Sequence, residues 1–380
     1  MVGGGSGGHV TPVAAVCSQF KKSYPDAEIR VWCDQKFYQQ AFATMVSVDG
    51  HIKVEPIIAG KLRRYYKLSI FRQLLQLRTI VVPNIIDVFK MLAGTVQSFV
   101  KLLLWRPDVV FSKGGFVCLP VGVAARLLKI PIVIHDSDAH PGLTSRVLAR
   151  WATTIATGAP LKHYSYPKDK SHYIGIPVAS TAKPYPPSKQ RETKKGLGFN
   201  EHEPLIVITG GGLGAKSIND AAAHVMTDLL GFTSVALVAG KANEGELSEK
   251  LGKHKNLQIH GYVSPDTMQK MLGAADIVVS RAGATTLLEL AALAKPSIIV
   301  PNERLTGGHQ VKNAAVYKQA KSIVLLEDAT LQAEPLSLVD AINATLLNKE
   351  AMKRLSTNIH EFAKPNAAKD MMKLIVEAVR

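Results

Sequence analysis

The chain has 380 residues, enough for two domains of ordinary size, and 47% of them are hydrophobic, which excludes an intrinsically disordered chain. Three cysteines, Cys17, Cys33 and Cys118, exclude a disulfide framework or a cysteine zinc cluster and fit a reducing compartment. The net charge of +16 sits mostly in residues 1–176, which hold 22 Lys+Arg against 10 Asp+Glu; this half is expected to face a nucleic acid, a phospholipid surface or a phosphorylated substrate, or to carry a solvated basic surface.

No apolar run approaches the ~20 residues of a membrane-spanning helix, and no basic segment precedes an apolar one as in a signal peptide. A cytoplasmic location is expected. Short Val/Ile-rich runs at 29–33, 109–112, 132–135, 205–209, 234–239, 277–280 and 297–300 read as buried parallel strands, with helical stretches between them. The expected fold class is α/β, doubly wound, in two Rossmann-like halves. Residues 183–195 (KPYPPSKQRETKK), just after Gly175, Ile176 and Pro177, read as the neighbourhood of an interdomain linker.

The first glycine loop starts at Gly3, with only Met1 and Val2 before it, so most of the strand that should feed it is missing. Gly3, Gly5 and Gly8 have the G-x-G-x-x-G spacing, and Asp34 ends the next strand where a dinucleotide enzyme holds a ribose. His9 and Thr11-Pro12 are foreign to that fingerprint. Residues 61–78 hold six basic and no acidic residues, with Leu62, Tyr66, Ile70, Leu74 and Leu77 at helical spacing. They read as an interfacial membrane segment or as a core helix with a basic outer face. His135, Asp136, Asp138 and His140 contain a D-x-D; a polar acceptor-side loop is favoured over a metal site.

A second glycine loop, 210–215, follows strand 205–209 and precedes a helix, an anion-binding geometry. After strand 277–280, residues 281–289 make a turn of small residues and a helix start near Thr285. The Thr285 and Thr286 hydroxyls and the first free N–H groups suit a diphosphate, and Glu289 suits two vicinal ribose hydroxyls or plain dipole compensation. Gln310 and Asn313 suit sugar hydroxyls, since each amide both donates and accepts.

In their order these motifs resemble those of the MurG family of bacterial N-acetylglucosaminyltransferases. Residues 4–9 are similar to its GGTGGH loop, with Ser6 for Thr; 113–117 to its second glycine loop; 135–144 to its HEQN…GLT segment. Residues 210–215 resemble GGSxGA, 281–289 resemble RSGAxTxxE, and 309–314 resemble HQxxNA. The resemblance spans nearly the whole chain. It implies a GT-B fold of two Rossmann-like domains facing across a cleft: 1–176 with about 365–380 facing acceptor and membrane, and 177–364 binding the donor. It implies inverting, metal-independent and cofactor-free transfer of GlcNAc from UDP-GlcNAc to the C4 hydroxyl of MurNAc in undecaprenyl-diphosphate-linked lipid I. The product is lipid II for peptidoglycan, the partner surface is the anionic cytoplasmic leaflet, and no nucleic acid is involved.

By this resemblance His9 is a candidate base or orienting group, in a loop that meets the acceptor and whose Ser6, Gly7 and Gly8 also face the donor. Gly212 joins the donor side, backbone near Val263 holds the uracil, and Ala284, Thr285 and Thr286, continued by Leu287 and Leu288, hold the diphosphate. Glu289 holds the ribose and Gln310 the GlcNAc hydroxyls. Gly114, Gly115, His135, Asp136 and Asp138 fall on the acceptor side, and Arg63, Arg64, Tyr66, Lys67, Ile70, Phe71 and Leu74 face the membrane. Asp138 stands where the family has Asn, Gly212 replaces a Ser, and Ile176 and Ala179 replace the Asn and Arg of G-N-P-V-R, so a donor-side Arg is absent. The alternatives are a UDP-sugar:diacylglycerol glycosyltransferase, an NAD-dependent oxidoreductase built on the first glycine loop, and a non-catalytic UDP-sugar-binding subunit.

Overall fold

The computed structural model describes residues 1–4, 7–61, 75–178, 182–211, 214–303 and 308–379. Ser6, Ala179, Gly212 and the expected membrane-facing Arg63, Arg64, Tyr66, Lys67, Ile70, Phe71 and Leu74 lie outside the described residues. The chain divides into two compact units, Met1–Ser180 with Lys364–Arg380, and Thr181–Ala363.

In the first unit, β1 (Arg30–Cys33) pairs in parallel with β2 (Lys53–Pro56). A second parallel set runs β3 (Val110–Ser112), β4 (Ile132–Asp136), β5 (Thr154–Thr157), β6 (Ser171–Tyr173). Val2 joins the two sets by bridging Trp32 on one side and Ser112 on the other. Its N–H donates to the Phe111 carbonyl and its own carbonyl accepts from the Lys113 N–H, each at 2.8 Å. The strand expected before the first glycine loop is therefore present as one short crossing. It stands between β1 and β3, the central place of a doubly wound sheet.

Helices α1 (Gly7–Ser23), α2 (Tyr38–Val46), α3 (Val82–Trp105), α4 (Cys118–Leu127) and α5 (Leu143–Leu148) accompany this sheet. Val10, Val13, Val16, Cys17 and Phe20 recur at helical spacing on α1 and are buried in one core with Val31, Cys33, Phe111 and Val133. The expectation that no segment is long and apolar enough to span a membrane is corrected by α3. With the π-helical turn before it, Leu77–Trp105 is long enough, and an 18-residue stretch within it apolar enough at a mean hydropathy of 1.5, to cross a membrane by length and composition alone. Asp87, Lys90, Gln97 and Lys101 interrupt the apolar run, which hides it from a search for uninterrupted apolar residues. One side of α3 is tied to the unit. Gly94 packs where a Cβ would strike the Ile58 carbonyl, Gln97 Oε1 accepts from Ile58 N–H at 2.8 Å, and Lys101 Nζ reaches Glu55 at 2.7 Å. The other side exposes Ile85, Phe89, Leu92, Val96, Val100 and Leu103; Phe89 is 67% exposed and Val96 65%.

The second unit carries α6 (Pro187–Gly196), β7 (Leu205–Thr209), α7 (Lys216–His224), α8 (Met226–Leu230), β8 (Ser234–Val238), α9 (Glu244–Leu251), β9 (Leu257–His260), α10 (Pro265–Ala274) and β10 (Ile277–Ser280). It continues with α11 (Ala284–Ala292), β11 (Ser297–Ile299), α12 (His309–Gln319), β12 (Val324–Leu325), α13 (Asp328–Ala333), α14 (Ser337–Leu347) and α15 (Lys349–His360). All strand pairs are parallel, in the order β12-β11-β10-β7-β8-β9. The chain starts in the middle with β7, runs outward to β9, then returns to β10 on the other flank. The carboxyl ends of β7 and β10 are thus the switch point, where a doubly wound sheet opens a crevice. The last helix, α16 (Ala367–Glu377), belongs to the first unit and buries Met371, Met372, Leu374 and Ile375 in the core shared with α1.

The stretch 183–195 is not a plain linker: most of it is α6, with Pro187 at its first turn, where a missing N–H costs nothing. Lys194 of α6 is buried and reaches Asp276 Oδ2 at 2.6 Å; the same oxygen accepts from Leu205 N–H at 2.7 Å, and Oδ1 accepts from Gln190 Nε2 at 3.0 Å. Asp276 thereby pins α6 to the starts of β7 and β10. Asp276→Ala removes the counter-ion of the buried Lys194 ammonium and the acceptor of the Leu205 N–H, and is expected to lower unfolding stability by about 3 kcal/mol in a urea titration, with part of the loss recovered when Lys194→Met is added.

Candidate active site

The first unit gathers the sequence-selected acceptor-side residues at the carboxyl ends of its strands. His9 lies in the first turn of α1, directly after Gly7 and Gly8, which are helical rather than loop. Its imidazole packs against the second glycine loop: a Cβ on Gly114 would lie 3.7 Å from His9 Cε1, and one on Gly115 3.6 Å from Cδ2. Both glycines have φ above +90°, and a Cβ on Gly115 would strike the Gly4 carbonyl, so side chains are excluded here twice over. His9 is hydrogen-bonded to the Lys113 backbone, while its Nδ1 is buried with no partner among the described residues. Burial, then the Lys113 charge, lower its pKa to about 4.

His135 and Asp136 end β4 and are buried. His135 Nε2 is 2.7 Å from the Gly175 carbonyl, its Nδ1 has no partner among the described residues, and burial with the Lys113 charge holds it well below the usual histidine range. Asp136 Oδ2 accepts from the Tyr166 hydroxyl at 2.8 Å, and burial raises its pKa to about 7. The Asp138 backbone carbonyl accepts from the Tyr164 hydroxyl at 2.7 Å. Among the described residues no group of three or more His, Cys, Asp and Glu is placed to hold a metal ion.

The second unit builds two cavities at its switch point. One, of about 170 Å³, is lined by Thr209 and Gly211 after β7, Gly261, Tyr262 and Val263 after β9, and Thr286 and Glu289 of α11. Three donor-side expectations, Val263, Thr286 and Glu289, therefore meet in one place. Burial raises the Glu289 carboxyl to about 7. Gly283 is the N-cap of α11, and the Leu287 N–H already closes onto the Gly283 carbonyl at 2.9 Å. The free N–H groups of the helix start are those of Ala284, Thr285 and Thr286. Leu287 and Leu288 point into the core and offer no further donor.

The second cavity, of about 1040 Å³, is bordered by Gly210, Gly214 and Ala215 of the glycine loop, and by Arg281, Asn302 and Gln310. Gln310 begins α12 and its Oε1 accepts from Asn302 N–H at 2.8 Å, which fixes the amide. Beneath the cavity lies a network that no local motif announces. Arg281 Nη1 reaches Asp328 Oδ1 at 2.7 Å and the Val300 carbonyl at 3.1 Å, and its Nη2 reaches Ser217 Oγ at 2.6 Å. Ser217 Oγ in turn donates to Asp328 Oδ1 at 2.7 Å. The guanidinium is thus a strut joining the starts of α7 and α13 to the ends of β10 and β11, and is committed to protein partners. Sequence reading also missed Lys113, Ser137, Tyr166 and Thr209 as site residues; Lys113 was visible beside its glycines, but its partner Ser137 lies on another strand's loop.

Known proteins match at both levels. Residues 1–157 match the glycosyltransferase family 28 N-terminal domain and residues 205–374 the family 28 C-terminal domain. A Clostridium botulinum protein named UDP-N-acetylglucosamine--N-acetylmuramyl-(pentapeptide) pyrophosphoryl-undecaprenol N-acetylglucosamine transferase is 33% identical over 372 residues, covering 96% of this chain and 98% of its own. A Bacillus cereus protein with the same name and the suffix 2 is 32% identical, covering 92% of each chain. Among solved structures, Acinetobacter baumannii MurG superposes with a TM-score of 0.74 at 24% identity, covering 99% and 98% of the two chains. A Neisseria meningitidis UDP-GlcNAc 2-epimerase bound to UDP-GlcNAc gives 0.66 at 13%, again covering 99% and 98%. These likenesses give the two-unit fold as GT-B. Matched along nearly its whole length by relatives at 33% identity, the chain belongs to the MurG family within glycosyltransferase family 28.

Proposed function

We propose that this chain transfers N-acetylglucosamine, with inversion, from UDP-N-acetylglucosamine to the MurNAc C4 hydroxyl of undecaprenyl-diphosphate-linked lipid I, forming lipid II. The observation that carries the donor half is the meeting of Val263, Thr286 and Glu289 in one cavity at the switch point of the second unit. Backbone near Val263 reads the uracil edge, the Glu289 carboxylate accepts from the two ribose hydroxyls, and the N–H groups of Ala284, Thr285 and Thr286 face the diphosphate. As the sugar–phosphate bond breaks, charge builds on the departing diphosphate, and the fixed dipoles of the α11 start stabilise it without reorganising. No divalent ion is needed for this step, so turnover is expected to persist in EDTA. A loss of activity restored by Mg²⁺ would sink this part of the reading.

On the acceptor side His9 is neutral at pH 7, and its Nδ1, which has no partner among the described residues, is the nitrogen left to take the proton of the attacking hydroxyl. The anionic acceptor raises the proton affinity of the ring beside it. The diacylglycerol alternative draws on the Gly175-Ile176-Pro177 turn alone. Transfer to diacylglycerol and not to a lipid I analogue would select it.

The exposed face of α3 supports peripheral attachment to the cytoplasmic leaflet. Its opposite side is fixed to the protein, so the helix lies along the surface rather than crossing it. Phe89→Asp with Leu92→Asp is expected to reduce binding to anionic vesicles at least tenfold by co-sedimentation, since each side chain withdraws roughly 1.5–3 kcal/mol of apolar burial. Turnover of a short-chain soluble acceptor should be unchanged.

Glu289→Ala is expected to raise the donor KM about thirtyfold, the loss of about 2 kcal/mol from charge-assisted hydrogen bonds. Because the Glu289 pKa is raised to about 7, the empty site holds a proton at pH 6 and has released it at pH 8. Donor affinity measured calorimetrically should therefore rise between these values in the native chain and stay flat in Glu289→Gln. The sign for folding is opposite: the buried carboxyl favours the fold while neutral and loses that advantage as pH climbs from about 4.5 to 7.

A further inference from the structure

Among the described residues Lys113 is the one ammonium in the acceptor-side cluster, and it is only 1% exposed. Its Nζ donates to Ser137 Oγ, between the carboxyls of Asp136 and Asp138 in sequence, and both carboxyls attract it. Its backbone binds the His9 ring, and its charge acts on His9 and His135 together. A buried ammonium is costly unless opposite charge and hydrogen bonds compensate it, and the Ser137 hydrogen bond and the two largest favourable charges here come from the 136–138 segment. We propose that Lys113 is a positioning residue: fixed on Ser137 Oγ, its ammonium opposes the pull of the Asp138 carboxyl on His9 and so adds to burial in keeping His9 in its proton-accepting form beside an anionic acceptor. This rests on the reading of His9 as the base.

Lys113 is enclosed: its Cβ lies 3.2 Å from where a Cβ on Gly3 would stand, and its ammonium is turned onto Ser137 Oγ rather than toward solvent, so it acts through its neighbours. The titratable groups facing His9 are Lys113 from the loop after β3, and His135 and Asp138 from the end of β4; Asp34, from the end of β1, lies against Gly4. Without Lys113 the Asp138 carboxyl acts on His9 unopposed, and the ring is protonated earlier on the way to acid.

The test is a nuclear magnetic resonance titration of the full chain labelled in histidine, with the His9 signal assigned by His9→Gln. In the native chain His9 is expected to stay neutral from pH 8 to below pH 5. In Lys113→Met its midpoint should rise by at least about one pH unit, the effect of one nearby unit charge. The acid limb of kcat/KM for GlcNAc transfer should move by the same amount. Lys113→Arg keeps the charge and should leave the midpoint within a few tenths of native. An unmoved midpoint in Lys113→Met overturns the proposal, as does an Arg variant that behaves like Met. Should Lys113→Met fail to fold, Ser137→Ala frees the ammonium from its anchor, and an unmoved His9 midpoint there overturns the proposal equally. Full turnover by His9→Gln would instead remove His9 as the base while leaving the electrostatic measurement standing.

Discussion

The close approach of two glycine turns sets the geometry of the whole acceptor side. Gly115 lies where a Cβ would strike the Gly4 carbonyl, and Gly4 itself presses on Asp34, with a Cβ there falling 2.6 Å from Oδ2. This proximity depends on the crossing at Val2: Val2 bonds to Phe111 and Lys113 on the β3 side, and its neighbours Met1 and Gly3 bond to Trp32 of β1. The His9 ring then fills the remaining wedge against Gly114 and Gly115. A side chain on Gly115 meets the Gly4 carbonyl first and one on Gly4 meets Asp34, so either forces apart the turns that hold the imidazole.

Burial is the common cause of the unusual acidities in both units. It carries Asp136 and Glu289 up to about 7 and Lys113 down to about 8, while His9 falls to about 4. The ordinary values of these groups span several pH units; enclosure compresses three of them into a narrow band around neutrality. Groups in such a band change protonation with small changes of charge nearby. A phosphorylated substrate arriving at either unit is such a change, so binding and proton movement are coupled by construction.

The architecture was legible wherever hydrophobic runs were both buried and β-branched. β7 and β10 have the expected bounds, and the neighbouring expected runs differ by a residue at an end. The strands that escaped notice were β2, β5, β6, β9 and β12. They are edge or near-edge strands with polar residues at half-exposed positions, as in Lys53–Pro56 and Leu257–His260, and periodicity carries little signal there. Helix α6 was hidden by prolines and charges, because the reason it folds is Asp276, far along the chain. The site followed the same rule. Thr286, Glu289, Gln310 and His9 stood out because each belongs to a compact motif, whereas Val263 came only from the family resemblance. Lys113 with Ser137, and Arg281 with Ser217 and Asp328, were not, because contacts between loops of different strands leave no local spacing to read.

The Arg281 network has a consequence for descent rather than for catalysis. Arg281, Ser217 and Asp328 stand 64, 47 and 111 positions apart in the chain, yet share two hydrogen bonds to one carboxylate oxygen and a third between themselves. Changing any one leaves a buried charge or hydroxyl without its partner. The three positions are therefore expected to drift together or not at all, as one inherited unit spread over more than a hundred residues of gene.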